Sequence, residues 1–292
     1  MPIFLADSNS LRTPQLEAYL NGSKANKLAI SDNIMMEMHK RNPERTIVES
    51  FRIARKYPRQ ILTLRALPMS FSRQIRSAKD VRAMIDDKQS RYFPTWYDYI
   101  VKADDNPSIM GQLREHQATA INSIDHLGKD IHHLLPTFQY AKKQFNESEI
   151  AEIKGGYLQN YSTQAKLFEL MDTISGNLFN LVNVPMDKRP VMKADAVHYF
   201  LHRYAICITV LFMTWLKQGN LSAATDKLVN HVVDMHVAAE ATFFNGIISA
   251  DKHVKAAYRL SRQLIGLQHG FSLSLNGEVK LKPVVGVDTP SS

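Results

Sequence analysis

A chain of 292 residues with 45% hydrophobic side chains is long enough for one large or two modest domains with a buried core, and its composition excludes wholesale disorder. The single cysteine, Cys207, excludes an internal disulfide framework and any Cys-rich zinc site. The formal net charge is +8, and the whole surplus falls between Arg41 and Lys79, where ten Lys/Arg face only Glu44 and Glu49. Such an Arg-dominated segment suits a polyanionic partner through guanidinium–phosphate pairing, or it is an ordinary solvated helix surface.

The opening Met-Pro-Ile-Phe-Leu-Ala-Asp lacks a basic n-region and reads as something other than a signal peptide. The strongest apolar stretch, Ala205 to Leu216, is too short to span a bilayer and reads as a core helix. A soluble, cytoplasmic protein without membrane association is the expectation. Within that stretch Cys207 reads as a packing residue, with a nucleophilic role the alternative.

In chain order, residues 3–6 form a short apolar run that ends at Asp7-Ser8-Asn9, the pattern of a buried strand delivering polar groups to a loop. Thr13-Pro14 opens a helix, with Thr as N-cap and Pro at the first helical position, and Asn21-Gly22-Ser23 stops it. Lys27 to Ser31 reads as a second strand. Ser31 or Asp32 caps the following helix, which turns Ile34, Met35 and Met38 inward and Glu37 to another face. The basic segment continues as helix to about Arg55, breaks near Pro58, and leads to a strand around Ile61–Leu64. Alternating strand and helix predicts an α/β fold with parallel strands.

From 71 to 189 strand-like alternation vanishes, and helical patterns are separated by breaks at Pro94, Asn106-Pro107, Pro136, Gly155-Gly156 and Pro185. This stretch reads as a helical insertion or cap between two halves of a core, 1–70 and 190–270. A helix from about Lys193 to Lys217 follows, then one over about Ala223–Thr242. Asn245-Gly246 turns into a short strand at 247–249, with Asp251 just past it. Residues 252–266 are helical, and 271–292 read as an irregular tail.

Two of these strands hand an aspartate, Asp7 and Asp251, to the edge where open α/β sheets bind ligands. Two helices starting near that edge carry Glu37 and Asp234, the latter one turn after Asn230. Converging carboxylates repel one another, and Mg²⁺ or Mn²⁺ resolves that conflict with oxygen ligands. Taken singly, acids near helix starts also complement the helix dipole.

The segments Ile-Phe-Leu-Ala-Asp7-Ser-Asn9, Leu28-Ala-Ile-Ser-Asp32-Asn-Ile-Met-Met-Glu37, Asn230-His-Val-Val-Asp234 and Asn245-Gly-Ile-Ile-Ser-Ala-Asp251-Lys252 resemble, in this order, the acidic motifs of PIN-domain ribonucleases. The resemblance covers roughly 1–65 and 190–265, and the chain departs from the compact family pattern by more than a hundred intervening residues. It implies a three-layer PIN-like fold with a mostly parallel sheet and a large helical insertion. It also implies metal-dependent hydrolysis of phosphodiester bonds, RNA in preference to DNA, with Asp7, Glu37, Asp234 and Asp251 as catalytic metal ligands for Mg²⁺ or Mn²⁺. Asn9, Asn230, Ser249 and Lys252 are then candidate substrate contacts, and Arg41, Arg45, Arg52 and Arg55 would follow the nucleic-acid backbone. Freestanding PIN-like nucleases serve as toxins or in defence, which implies an antitoxin, regulatory or self-association partner, with the insertion as docking surface. A catalytically inactive PIN-like module binding nucleic acid or protein is the alternative.

Other residues invite functional readings. Asp195, His198 and His202 share one face if 193–217 is a single helix, either as a polar cluster or as packing at the helix start. Tyr92, Trp96 and Tyr97 read as core, with base stacking as the alternative.

Overall fold

The computed structural model describes residues 1–156, 158–219 and 225–275. Five strands, β1 (Ile3–Ala6), β2 (Lys27–Ile30), β3 (Ile61–Leu64), β4 (Ile85–Asp86) and β5 (Gly246–Ile248), form one sheet in the order β4-β3-β2-β1-β5. All neighbouring pairs are parallel except β3 with β4. The helices are α1 (Pro14–Gly22), α2 (Asp32–His39), α3 (Pro43–Arg55), α4 (Ala78–Ala83), α5 (Asp87–Ile100), α6 (Pro107–Lys143), α7 (Glu147–Gly155), α8 (Tyr161–Leu181), α9 (Lys193–Ala196), α10 (Phe200–Gln218), α11 (Thr225–Ala241) and α12 (Lys252–Leu275). The fold is therefore α/β with a mostly parallel sheet. Among the described residues no helix is long and apolar enough to cross a membrane.

β1, β2, β3 and β5 are short, mainly apolar runs because both faces of the sheet are covered there. Ala6, Leu28, Ile30, Ile61 and Ile248 join one core with Ile34, Phe51, Phe93 and Leu113. Leu5, Ala29, Leu62 and Leu64 join the other, built on Phe138, Leu167, Phe212 and Trp215. Side chains alternate between the two cores as the pleat requires. α6 belongs to both, Ile109 and Leu113 to the first core and Phe138 and Ala141 at its far end to the second.

The turn at Asn245-Gly246 docks β5 beside β1, with Asn245 Oδ1 accepting from the Ile3 N–H at 2.8 Å. A Cβ on Gly246 would lie 2.5 Å from the Phe4 ring, so this close approach favours glycine.

Four local expectations differ from the structure. β4 lies inside the stretch read as wholly helical; two residues are too few to show alternation. Pro94 and Pro136 sit inside α5 and α6 rather than ending helices. A proline within a helix costs roughly 3 kcal/mol, whereas burying one large apolar side chain stabilises by about 1.5–3 kcal/mol. In α5 the burial of Phe93, next to Pro94, and of Ile100, at the helix end, offsets that cost. The expected helix at 193–217 is split between α9 and α10, because Gln74 and Tyr199 form a β-bridge and the Ile75 N–H donates to His198 O at 2.8 Å. Finally, α12 runs on to Leu275, into the segment read as tail; residues 276–292 and the expected helix start at 223 lie outside the described residues.

Candidate acidic site at the carboxyl edge of the sheet

β1 is flanked by β2 on one side and β5 on the other, and the chain leaves β1 through α1 towards β2. The crevice beyond the ends of β1 and β5 is thus a topological switch point, where α/β sheets bind ligands. Asp7 follows β1 directly and is buried. Its N–H extends the ladder to Ile248 O at 2.9 Å, and the Ser10 hydroxyl lies 2.6 Å from Asp7 O and 2.7 Å from Ile248 O, bridging the two strand ends.

Ser249 links the two aspartates. Its hydroxyl donates to Asp7 Oδ2 at 2.8 Å and accepts the Asp251 N–H at 3.0 Å. Ser249 is buried, so it orients the acids from behind, whereas the sequence places it among candidate substrate contacts. Asp251 Oδ1 accepts the His253 N–H at 2.6 Å and so caps the start of α12. Glu37 comes from the sixth position of α2 and Asp234 from the middle of α11, both half-buried.

The four carboxyls feel one another. Burial pushes the Asp234 carboxyl up to about 7, and the charges of Asp7, Asp251 and Glu37 push in the same direction. Burial also raises Asp7, with Asp251 adding to it and the Ser249 hydroxyl pulling back. Glu37 is raised by burial and by Asp7, partly offset by the Ser8 hydroxyl and Lys40. Residues separated by more than two hundred positions therefore share one electrostatic site. The donor atoms are all carboxylate oxygens, the set that hard divalent cations prefer. As the side chains stand, no group of three or more His, Cys, Asp or Glu among the described residues is disposed to hold a metal ion.

Asn9, Asn230 and Lys252 are exposed at the rim. Asp234 also faces a neighbouring cleft of about 290 Å³ between α10, α11 and α12, shared with His231 and His253.

Asp195 acts on the His198 imidazole, but His202 does not join them. Asp195 pairs with Arg76 at 2.7 Å, and His202 is buried against Gln268 at 2.9 Å. Cys207 is buried, with its thiol pushed up to about 12 by desolvation, which suits packing and disfavours a nucleophile. Much of the basic segment is paired internally: Arg45 with Glu49, Arg55 in a two-pronged pair with Asp98, and Lys56 with Glu17. Arg41 and Arg52 are exposed.

One acid beside the site was not singled out from sequence. Glu240 of α11 is only 2% exposed, and burial followed by the repulsion of Asp32 pushes it up to about 8. The Ser31 hydroxyl and the Asn33 amide face it and pull its pKa partly back. The signal was a single acid inside the apolar run Val237-Ala-Ala-Glu-Ala241.

No family model, curated protein or solved structure matches the chain.

Proposed function

We propose that the chain is a metal-dependent endonuclease of PIN-like type that hydrolyses phosphodiester bonds, RNA in preference to DNA. The observation that carries this reading is the convergence of Asp7, Glu37, Asp234 and Asp251 at the switch point of the sheet. Burying like charges together costs free energy that packing alone does not repay. A divalent cation offsets that cost, and the oxygen-only donor set fits Mg²⁺ or Mn²⁺.

A cation held there supplies Lewis acidity at the scissile phosphate and makes an attacking water more acidic. Asp7 and Asp251 are positioned by the shared Ser249 hydroxyl, and Asp251 is further oriented by the His253 N–H. Asp234 competes with protons near neutral pH and becomes a better ligand as pH rises through about 7. Asn9 and Asn230 at the rim are suited to contact substrate oxygens, with Lys252 as a nearby cation. Arg41 and Arg52 are exposed and make no ion pair within 4 Å among the described residues, unlike Arg45 and Arg55, so they suit the nucleic-acid backbone better. A toxin or defence setting in the cytoplasm, with an antitoxin or self-association partner, belongs to the same proposal.

The second reading, an inactive PIN-like module, draws on the absence of a three-ligand group among the described residues. Incubating a mixed RNA and DNA panel with the protein in Mg²⁺ and in Mn²⁺ separates the two. The nuclease reading expects cleavage that falls by more than about 100-fold in Asp7→Asn and in Asp251→Asn, beyond what loss of an outer-shell partner costs. Undiminished cleavage by both variants, with wild-type circular dichroism, would sink it.

A further inference from the structure

A second cleft, of about 640 Å³, opens along the same sheet edge beyond β2 and β3. Arg65, which follows β3, lies two strands from Asp7, about 10 Å at ordinary strand spacing. The opposite wall is α5, whose Lys88, Tyr92 and Trp96 stand at i, i+4 and i+8 and so share one face.

The two aromatic rings differ in their support. Trp96 packs edge-on to Phe51 at 5.9 Å and lies 6.0 Å from Phe93, which fixes its orientation. Tyr92 is 55% exposed although its neighbour Phe93 is buried, leaving a large ring in solvent at the mouth of the cleft. The charges are mixed, with Asp32 and Asp86 lining the cleft beside Arg65 and Lys88. Arg65 is held through Nε to Ala83 O at 3.1 Å, and Lys88 is exposed. Asp86 accepts the Gln89 N–H through Oδ1 at 2.9 Å, capping α5, and its side chain also lines the cleft.

A site for a simple anion would not carry a carboxylate beside its cations, and a site for a greasy ligand would not carry charges at all. A nucleotide answers all three features, presenting a phosphate to cations, a flat face to aromatic rings and amino N–H groups to an acceptor. We infer that this cleft is a subsite for one nucleotide of a single-stranded RNA, lying next to the scissile position. Tyr92 and Trp96 take the base, Arg65 and Lys88 the phosphate, and Asp86 the amino edge. The inference rests on the nuclease reading above.

The test is fluorescence titration of the full chain with short single-stranded oligoadenylate, oligocytidylate and oligouridylate in chelator, followed by steady-state cleavage in Mg²⁺. Trp215 is fully buried, so a signal on binding reports Trp96. The expected result is quenching in the wild type, an approximately tenfold weaker Kd in Tyr92→Ala and in Lys88→Ala, and a matching rise in KM with kcat unchanged. Asp86→Asn, which keeps an N-cap side chain, should narrow the preference for the amino-bearing bases over uracil. If the wild type cleaves RNA while Tyr92→Ala and Lys88→Ala keep its Kd and KM, the subsite is overturned and the nuclease reading stands. If the wild type neither binds nor cleaves any nucleic acid, both fall.

Discussion

The Arg41–Lys79 segment and the acidic edge of the sheet arrange charge in opposite ways. In the basic segment a +8 surplus is largely engaged: Glu49 serves both Arg45 and Arg12, Asp98 takes Arg55, Asp195 takes Arg76, and Arg65 and Arg73 donate to Ala83 O. At the acidic edge Asp234 instead lies within reach of three other acids, and its burial adds to their repulsion. Overall surplus charge therefore says less about function than like charge that remains unneutralised after internal pairs are counted. The acids also lie in a partly buried environment, where a charge left unopposed costs more than it does at an exposed surface.

The contrast breaks most sharply at Asp234. Its folded-state pKa lies above the usual carboxylate value, so the folded protein holds that proton more tightly than the unfolded chain. The associated stabilisation is complete below about pH 4 and is lost as pH rises through about 7. Asp234→Asn should consequently stabilise the metal-free protein at pH 8 by about 1–3 kcal/mol and flatten its pH dependence, as read by urea unfolding at pH 5 and pH 8. A destabilised variant at pH 8 would mean that Asp234 is neutralised by a partner.

A smaller effect is expected from the cation itself. Millimolar Mg²⁺ should raise the melting temperature, more at pH 8 than at pH 6, because Asp234 must give up its proton to bind. Differential scanning fluorimetry of Asp7→Asn should show no such shift.

The smallest effects belong to the basic segment. Arg45→Ala and Arg55→Ala remove solvent-screened pairs and should leave the melting temperature almost unchanged. Arg41→Ala and Arg52→Ala should raise KM for RNA more than those two variants do. Equal KM changes in all four would show that the internal pairs open on substrate binding.

Much of the framework was legible because its signals are local. β1, β2, β3 and β5 are apolar runs closed by polar residues, and Thr13-Pro14 and Asn106-Pro107 mark helix starts where helices do begin. The acids could be placed because Asp7 and Asp251 directly follow strands. What escaped depends on distant partners. The break at Val197–Tyr199 has no Gly or Pro and is made by the bridge to Gln74. Pro94 is overruled by the packing of its neighbours, and Glu240 acquires its raised pKa only when α11 meets the start of α2. Ser249, a candidate substrate contact from sequence, shows its bond to Asp7 only once β5 is paired with β1.

That pairing of β5 with β1 has a consequence for how the protein is made. The contact between Ile3 and Asn245 closes a loop spanning 242 positions, and the entropic cost of closure grows only as about (3/2)RT ln n, while non-local pairing slows folding. During synthesis Asp7 and Glu37 leave the ribosome about two hundred residues ahead of Asp234 and Asp251, so a nascent chain carries half an acidic site until β5 can add to β1.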